Sequence, residues 1–300
     1  MTDLDNVVLN FSASSLLLMN AILAIVMFSI ALDLKIRDFG QLVRAPKPVL
    51  TGLVSQFVVL PVLTFLLILI IQPRASIALG LILVAACPGG NISNFITHRA
   101  GGNSALSVSL TGFATAGAIL FTPLNIAFWG RLYAPTREIL NTVHIDPLQI
   151  GLTVSLMLIL PLILGMLLNN RYPELADRVR RPMQNLSMFI FIGFVVLALA
   201  ANWAFFLTYV KYVGALVVLH NALALAGGYT IAKIAGLSEY DRRTVTIETG
   251  IQNSGLGLVL IFGFFNGLGG MAVVAALWGI WHAVSGIGLA WFMSRTVATR

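Results

Sequence analysis

The feature that most constrains this chain is a succession of long apolar stretches. A helix needs about 20 apolar residues to cross the roughly 30 Å hydrocarbon core of a bilayer, and nine stretches of that size follow one another with short loops between them. Their bounds are 13–34, 48–71, 76–97, 104–127, 148–169, 184–203, 207–234, 244–267 and 271–294. The pattern predicts an all-α polytopic membrane protein with nine transmembrane helices.

Composition excludes most other classes of protein. Apolar residues make up 58% of the chain and charged residues 10%, whereas soluble domains average about 45–50% and about 25%. A soluble globule with this balance could not cover its surface with polar groups, and a disordered chain needs the opposite balance. The single cysteine, Cys87, excludes a disulfide framework and a metal site made of several cysteines.

The loops predict an orientation through their charge. When alternate loops are assigned to opposite sides, 14 of the 18 basic residues fall on one side. The other four are Arg74, Arg131, Arg137 and Lys211. Because positively charged loops stay cytoplasmic, we expect the N-terminus outside and the C-terminus inside a cell's inner (plasma) membrane. This asymmetry accounts for the net charge of +7, so nucleic acid is not an expected partner.

The two halves of the chain share a layout. Spans one to four and six to nine each contain a charged cytoplasmic loop, at 35–47 and 233–243, and one apolar segment with a polar interruption. Matching the third span to the eighth shifts the chain by five crossings, and an odd shift inverts the second unit across the membrane. Inverted repeats with one broken helix each are the layout of secondary transporters. We therefore expect an inverted repeat with two discontinuous helices.

The interruptions place polar backbone at membrane depth. They run from 87 to 94 and from 248 to 255. In the first, Pro88 removes a backbone donor and two glycines weaken the helix further. Freed carbonyls suit a cation, whereas half-helix N-termini suit an anion. A simple proline kink would not explain why three polar residues stand next to it: Asn91, Ser93 and Asn94.

Glu248 is the acidic residue that falls clearly inside a span, and no Lys or Arg lies at a matching depth. An ionised carboxylate in hydrocarbon is costly, so such a residue indicates function. A bound cation, a proton or a neutral structural role would each account for it. Alkali cations prefer oxygen ligands, which both interruptions supply. Ser107 and Thr111 lie one turn apart on a helix face, where their hydroxyls could face one ion or bond back to the helix backbone.

At these residues the chain resembles a known family. The motifs that carry the resemblance run in order along residues 15–295. They are Asp33-Leu34-Lys35 with Asp38-Phe39, Pro46-Lys47-Pro48, Gln56-Phe57 with Pro61, Cys87-Pro88-Gly89-Gly90 with Ser93-Asn94, Ala105-Leu106-Ser107 with Thr111, Leu219-His220-Asn221, and Glu248-Thr249-Gly250-Ile251-Gln252-Asn253-Ser254. Together they resemble the bile acid:sodium symporter family in its bacterial branch.

The resemblance implies an architecture and two sodium sites. Two crossed discontinuous helices would lie in a core domain (about 48–127 and 207–294), beside a panel domain (13–34 and 148–203), all within one transporter domain spanning 1–300. The first sodium site would use Ser93, Asn94, Ser107, Thr111 and Glu248. The second would use Gln56 and Gln252, backbone oxygens near Glu248, Thr249 and Ile251, and Glu248 again. His220 and Asn221 are expected to tie helices together.

The expected function is sodium-coupled uptake of an organic anion by alternating access. The substrate would be bile acid-like or a small carboxylate such as pantoate or pantothenate. The candidate substrate-binding residues are Asn91 and Asn253 at the interruptions and His282, which the resemblance places near the substrate cavity. Because no interior Lys or Arg is available, helix termini would supply the positive field for the anion. Two Na⁺ ions, the organic anion and the lipid bilayer are the expected partners of a monomer.

Several alternatives stay open at this point. A proton-coupled or Na⁺/H⁺ antiporter could also use broken helices and Glu248, although the second acid or lysine usual there is missing. Cys87 leaves arsenite efflux open, since a related family has a cysteine near its broken helix. Gln56, five residues before Pro61, could instead form an interhelical hydrogen bond, and His282 could be a packed histidine. A channel fits inverted broken helices less well, and no HExxH or DDxxD motif indicates an enzyme.

Overall fold

The computed structural model describes residues 45–90, 92–143, 147–201 and 203–296, together with part of 18–32. The regular elements of this part of the chain are helices, and the described positions from 18 to 31 are helical as well. The helices are α1 Pro46–Ile71, α2 Ala75–Ala86, α3 Ile92–Arg99, α4 Ser104–Leu132, α5 Ala134–Val143, α6 Leu148–Arg171, α7 Pro173–Ala201, α8 Trp203–Ile234, α9 Glu239–Gly250, α10 Ser254–Phe264 and α11 Gly269–Ser294.

The predicted membrane character agrees with these helices. By length and composition, α1, α4, α6, α11 and the segment Leu207–Ile234 of α8 can each cross a membrane. Their outward faces are apolar; Ile70, for example, is 78% exposed. Helix α7 begins at Pro173, well before the predicted residue 184. Its first turns are polar, so hydropathy could not reveal that the helix extends beyond its apolar part.

A further short helix, α5, follows α4 and was not predicted. Its ten residues are too few and too polar to register as a span. Thr136 fixes the helix by donating its hydroxyl to the Gly130 carbonyl of α4 at 2.6 Å. Leu140 of the same helix packs in the hydrophobic core.

Both predicted interruptions are present. Non-helical backbone from Cys87 to Gly90 separates α2 from α3, and residues 251–253 separate α9 from α10. The second interruption is shorter than the predicted 248–255, because α9 continues through Gly250. Helix α10 then restarts at once, capped by Asn253, whose Oδ1 accepts a hydrogen bond from Leu256 N at 3.0 Å.

The two interruptions touch each other through their backbones. Gly90 N donates to Ile251 O at 2.7 Å, and Asn253 N donates to Pro88 O at 2.8 Å, in an antiparallel arrangement. These bonds satisfy backbone groups that a helix would otherwise pair, which is required at membrane depth. Helix α11 packs against α2, α8 and α10 around them, and the described residues of both breaks are buried.

Helix α1 contains one π-helical turn, Ser55–Val59, and its cause is Pro61. Proline has no N–H, so the Phe57 carbonyl four residues earlier loses its helical donor. Asn125 of α4 replaces that donor, with Nδ2 at 3.2 Å from Phe57 O. The carbonyl that Pro61 leaves free therefore holds α1 to α4.

Candidate functional site

Glu248 lies at the centre of a hydroxyl cluster. Its side chain is completely buried near the C-terminal end of α9. Ser93 of α3 donates its hydroxyl to Oε1 at 2.6 Å, Ser107 of α4 also contacts Oε1, and Thr111 Oγ1 lies 3.3 Å from Oε2. Two helices, α3 and α4, thus deliver three hydroxyls to the carboxylate of a third helix, α9.

Asn94 closes the cluster beside Glu248. Its Oδ1 lies 2.8 Å from Ser107 Oγ and 3.3 Å from Thr111 Oγ1. The structure therefore brings together all five residues expected at the first sodium site. The hydroxyls of Ser107 and Thr111 face side-chain oxygens, which is the first of the two orientations that their helical spacing allowed.

The cluster has more close oxygen–oxygen approaches than hydrogens to bridge them. Ser107 has one hydroxyl hydrogen, yet its oxygen is within hydrogen-bonding reach of Asn94 Oδ1, Glu248 Oε1 and Thr97 Oγ1. The Thr111 oxygen likewise faces both carboxylate oxygens, at 3.3 and 3.5 Å, and Asn94 Oδ1. Oxygen atoms in excess of hydrogens, with one carboxylate among them, fit a hard cation.

A second set of oxygens lies around the two interruptions, close to the Glu248 carboxylate. Gln56 Oε1 accepts a hydrogen bond from Gly89 N at 3.1 Å, which joins α1 to the first interruption and not to a second helix. Gln252 Nε2 donates to Thr249 O at 2.8 Å, and Ile251 O accepts from Gly90 N. Each carbonyl oxygen has two lone pairs, so these carbonyls keep one site for a further ligand.

The second set includes buried atoms without a partner. Among the described residues, Gln252 Oε1 and Gln56 Nε2 are buried and make no hydrogen bond. An unpaired buried acceptor is costly, and a cation would satisfy Gln252 Oε1. Gly89 adds the room, because a Cβ built there would lie 3.0 Å from Glu248 Oε2 and 3.3 Å from Gln56 Oε1. The donor set and the space both fit an alkali cation.

The three candidate substrate residues are not gathered in the same way. Asn253 is buried and uses its Oδ1 to cap α10, while its Nδ2 lies 3.9 Å from the sulfur of Met27 in the N-terminal segment. His282 is buried on α11 with an unpaired Nδ1, and no hydrogen bond of the described residues joins it to Asn253. Asn91 lies outside the described residues.

The expected helix ties through His220 and Asn221 of α8 are confirmed. His220 Nε2 lies 2.6 Å from Thr64 Oγ1 of α1, and Asn221 Nδ2 donates to Gly250 O at 2.7 Å. Sequence reasoning missed Ser55, whose hydroxyl lies 2.6 Å from Thr249 Oγ1. Ser55 could have been singled out from the sequence, because a serine in an apolar span needs a polar partner.

Comparison of the sequence with known proteins agrees with the resemblance drawn from its motifs. The model of the sodium bile acid symporter family matches residues 20–208. The chain belongs to the sodium bile acid symporter family. Members of this family are named for sodium-dependent transport, so the chain is a multi-pass membrane transporter of a sodium-dependent family and not an enzyme.

Individual relatives cover most of the chain. It is 31% identical over 275 residues to the uncharacterized sodium-dependent transporter YocS of Bacillus subtilis, covering 92% of this chain and 82% of that protein. It is 32% identical to the probable sodium/metabolite cotransporter BASS2 of rice, covering 90% of the chain but 62% of the plant protein's length. The human ileal sodium/bile acid cotransporter is 29% identical over 240 residues, 78% of this chain and 66% of that protein.

Proposed function

We propose that this protein takes up an organic anion together with sodium by alternating access. The observation that carries the proposal is the fully buried Glu248 surrounded by hydroxyl and amide oxygens of two other helices, α3 and α4. A carboxylate buried in a membrane protein needs a counter-charge. Among the described residues Arg243 is the buried member of the Lys and Arg side chains. Its guanidinium pairs with Glu239 at 3.6 Å and is bonded to Ala100 O and Thr296, so a mobile cation is the proposed counter-charge for Glu248.

Two sodium ions are proposed, one on each side of the carboxylate. The first ion is held by Ser93, Asn94, Ser107, Thr111 and Glu248. The second is held by Gln56, Gln252, Glu248 and the backbone oxygens near Thr249 and Ile251. Two arguments support a second ion: the unpaired Gln252 Oε1 and the oxygen-lined space at Gly89. Filling both sites joins α1, α3, α4 and α9 across the interruptions.

The anion is proposed to meet backbone amides instead of a basic side chain. Helices α3 and α10 both begin at the interruptions, and helix N-termini carry partial positive charge. Asn91, Asn253 and His282 are the proposed substrate-binding side chains. The substrate class is an organic anion, bile acid-like or a small carboxylate such as pantoate or pantothenate; the names of the human and plant relatives, a bile acid and a metabolite cotransporter, support an organic solute.

In the proposed architecture, transport depends on the movement of a core domain against a panel domain. Nine transmembrane helices would form an inverted repeat, with a core at 48–127 and 207–294 that moves against a panel at 13–34 and 148–203. The antiparallel contact of the two interruptions supports the inversion. The protein would act as a monomer in the inner (plasma) membrane, with its N-terminus outside and its C-terminus in the cytoplasm.

The proposed stoichiometry sets the driving force. Two Na⁺ ions with one monovalent anion carry one net positive charge, worth about 2.3 kcal/mol at 100 mV. A tenfold sodium gradient adds about 1.4 kcal/mol per ion. The total of about 5 kcal/mol supports an accumulation of a few thousandfold. Electroneutral transport in current recordings would contradict this stoichiometry.

The test is sodium-specific stabilisation of the purified protein in detergent. Na⁺ is titrated against K⁺ and choline at constant ionic strength, with and without taurocholate or pantoate, and the melting temperature is followed. We expect saturable stabilisation by Na⁺ that an organic anion increases. Glu248→Gln should fold but lose this response, whereas Glu138→Gln, the same change on an exposed residue of α5, should keep it. A wild-type response in Glu248→Gln would refute the site.

A further inference from the structure

The turn between α3 and α4 is fastened to the first turns of α9. Asn103 N donates to Thr244 Oγ1 at 2.8 Å, and Asn103 Nδ2 donates to Asp241 Oδ1 at 2.8 Å. The approach is close enough that a Cβ at Gly102 would lie 3.0 Å from Thr244 Oγ1. Arg243, which is 2% exposed, adds a hydrogen bond to Ala100 O at 2.8 Å. The described residues of this turn thus contact α9 by both side chain and backbone.

This attachment lies one helical turn before the Glu248 cluster on both helices. On α4, Asn103 caps the helix through Leu106 N, and Ser107 follows four residues later, with its N–H bonded to Asn103 O at 2.9 Å. On α9, Glu248 follows Thr244 by four residues as well. Residues four apart lie on the same helix face. The Asn103–Thr244 contact and the Ser107–Glu248 contact are therefore successive contacts along one helix–helix interface.

We propose that Asn103 and Thr244 are positioning residues of the first sodium site. They fix the register of α4 against α9, so that the hydroxyls of Ser107 and Thr111 face Glu248. Without the Thr244 hydroxyl, Asn103 N–H keeps only the longer bond to Tyr240 O at 3.2 Å, and the register of α4 on α9 loses one of the contacts that fix it. This proposal rests on the proposed function, since it assumes that the cluster binds sodium.

The test compares three variants of α9 by titrating Na⁺ alone, against choline, while following the melting temperature. Thr244→Val removes the hydroxyl and keeps the shape. We expect the sodium concentration for half-maximal stabilisation to rise about fivefold, the scale of one lost buried hydrogen bond. Thr244→Ser keeps the hydroxyl and should restore the wild-type value. Thr246→Val is the matched control, because the Thr246 hydroxyl is buried and donates to Arg242 O within its own helix.

A purely structural role predicts a different result. In that case Thr244→Val and Thr246→Val would both lower the melting temperature without sodium and leave the half-saturating concentration unchanged, which would overturn the proposal. If Thr244→Val does not fold, Asn103→Ser keeps the cap of α4 and removes the amide bond to Asp241, and the same rise in the half-saturating sodium concentration is expected.

Glu248→Gln distinguishes failure of the positioning role from failure of the sodium site. If it loses the sodium response while Thr244→Val keeps the wild-type value, the positioning role alone is wrong; if it keeps the response, the sodium site is wrong.

Discussion

The absence of a side chain at Gly89 leaves space beside Glu248 and Gln56. A Cβ at this position would lie 3.0 Å from Glu248 Oε2, 3.3 Å from Gln56 Oε1 and 3.5 Å from Glu248 O, so it would occupy the space proposed for the second ion. We expect Gly89→Ala to abolish the anion-dependent part of the sodium stabilisation and to reduce sodium-driven uptake at least tenfold. Gly257→Ala is the control, because a Cβ there makes only ordinary contacts, at 3.5 Å or more. A wild-type sodium titration in Gly89→Ala would contradict the second site.

Single residues were predictable where membrane burial makes them costly. Glu248 could be singled out because an acid inside a span demands a partner, and Ser107 and Thr111 because their spacing puts both on one face. The partners of Gln56 could not be deduced, since its bond to Gly89 depends on how α1 packs against the first interruption. Asn253 was expected to meet substrate, but its Oδ1 caps α10; a polar residue beside a helix start has both uses, and sequence does not separate them.

At the scale of elements, the π-helical turn in α1 positions Ser55 and Gln56. Pro61→Ala restores an N–H that can bond to Phe57 O, which competes with Asn125 and favours a regular α-helix. We expect the half-saturating sodium concentration to rise several-fold, because Gln56 rotates away from Gly89. The comparison variant is Pro161→Ala in α6, which follows an equivalent π-helical turn at Ser155–Ile159 but belongs to no proposed site. Equal effects of both variants in the sodium titration would show that the turn acts only through general helix geometry.

Helices were predictable from hydropathy as far as they are apolar. The spans at 48–71, 148–169 and 271–294 agree closely with α1, α6 and α11. Helix α5 and the beginning of α7 were missed, because polar helical turns outside the hydrocarbon carry no such signal. Both interruptions were located from Pro88 and from polar residues in apolar surroundings. The exact extent of the second interruption could not be predicted, because a glycine such as Gly250 can stand either in the last helical turn or in a break.

At the scale of the whole molecule, two segments about 160 residues apart meet as a pair. Gly90 bonds to Ile251 and Asn253 to Pro88, so each interruption supplies the hydrogen-bonding partners that the other lacks. Sequence layout suggested an inverted relation between the halves, but it could not show that the breaks touch. The pairing explains why the candidate ligands come from both halves: Ser93, Ser107 and Gln56 from the first, Glu248 and Gln252 from the second. A site shared in this way can form only when both interruptions are paired.

The proposed orientation of the whole molecule has a direct test in cysteine accessibility. The chain has one cysteine, the buried Cys87, so Cys87→Ala gives a background without thiols. Arg74→Cys and Arg137→Cys lie at exposed positions on the side proposed to be outside, and Arg178→Cys and Lys233→Cys at exposed positions on the basic, cytoplasmic side. In intact cells a membrane-impermeant maleimide should label the first pair at once and the second pair only after permeabilisation. The charge bias sets this expectation, and the odd number of crossings proposed between Arg74 and Lys233 requires it. Labelling of Arg74→Cys and Lys233→Cys from the same side would rule out that odd number, and with it the inversion of the second half relative to the first.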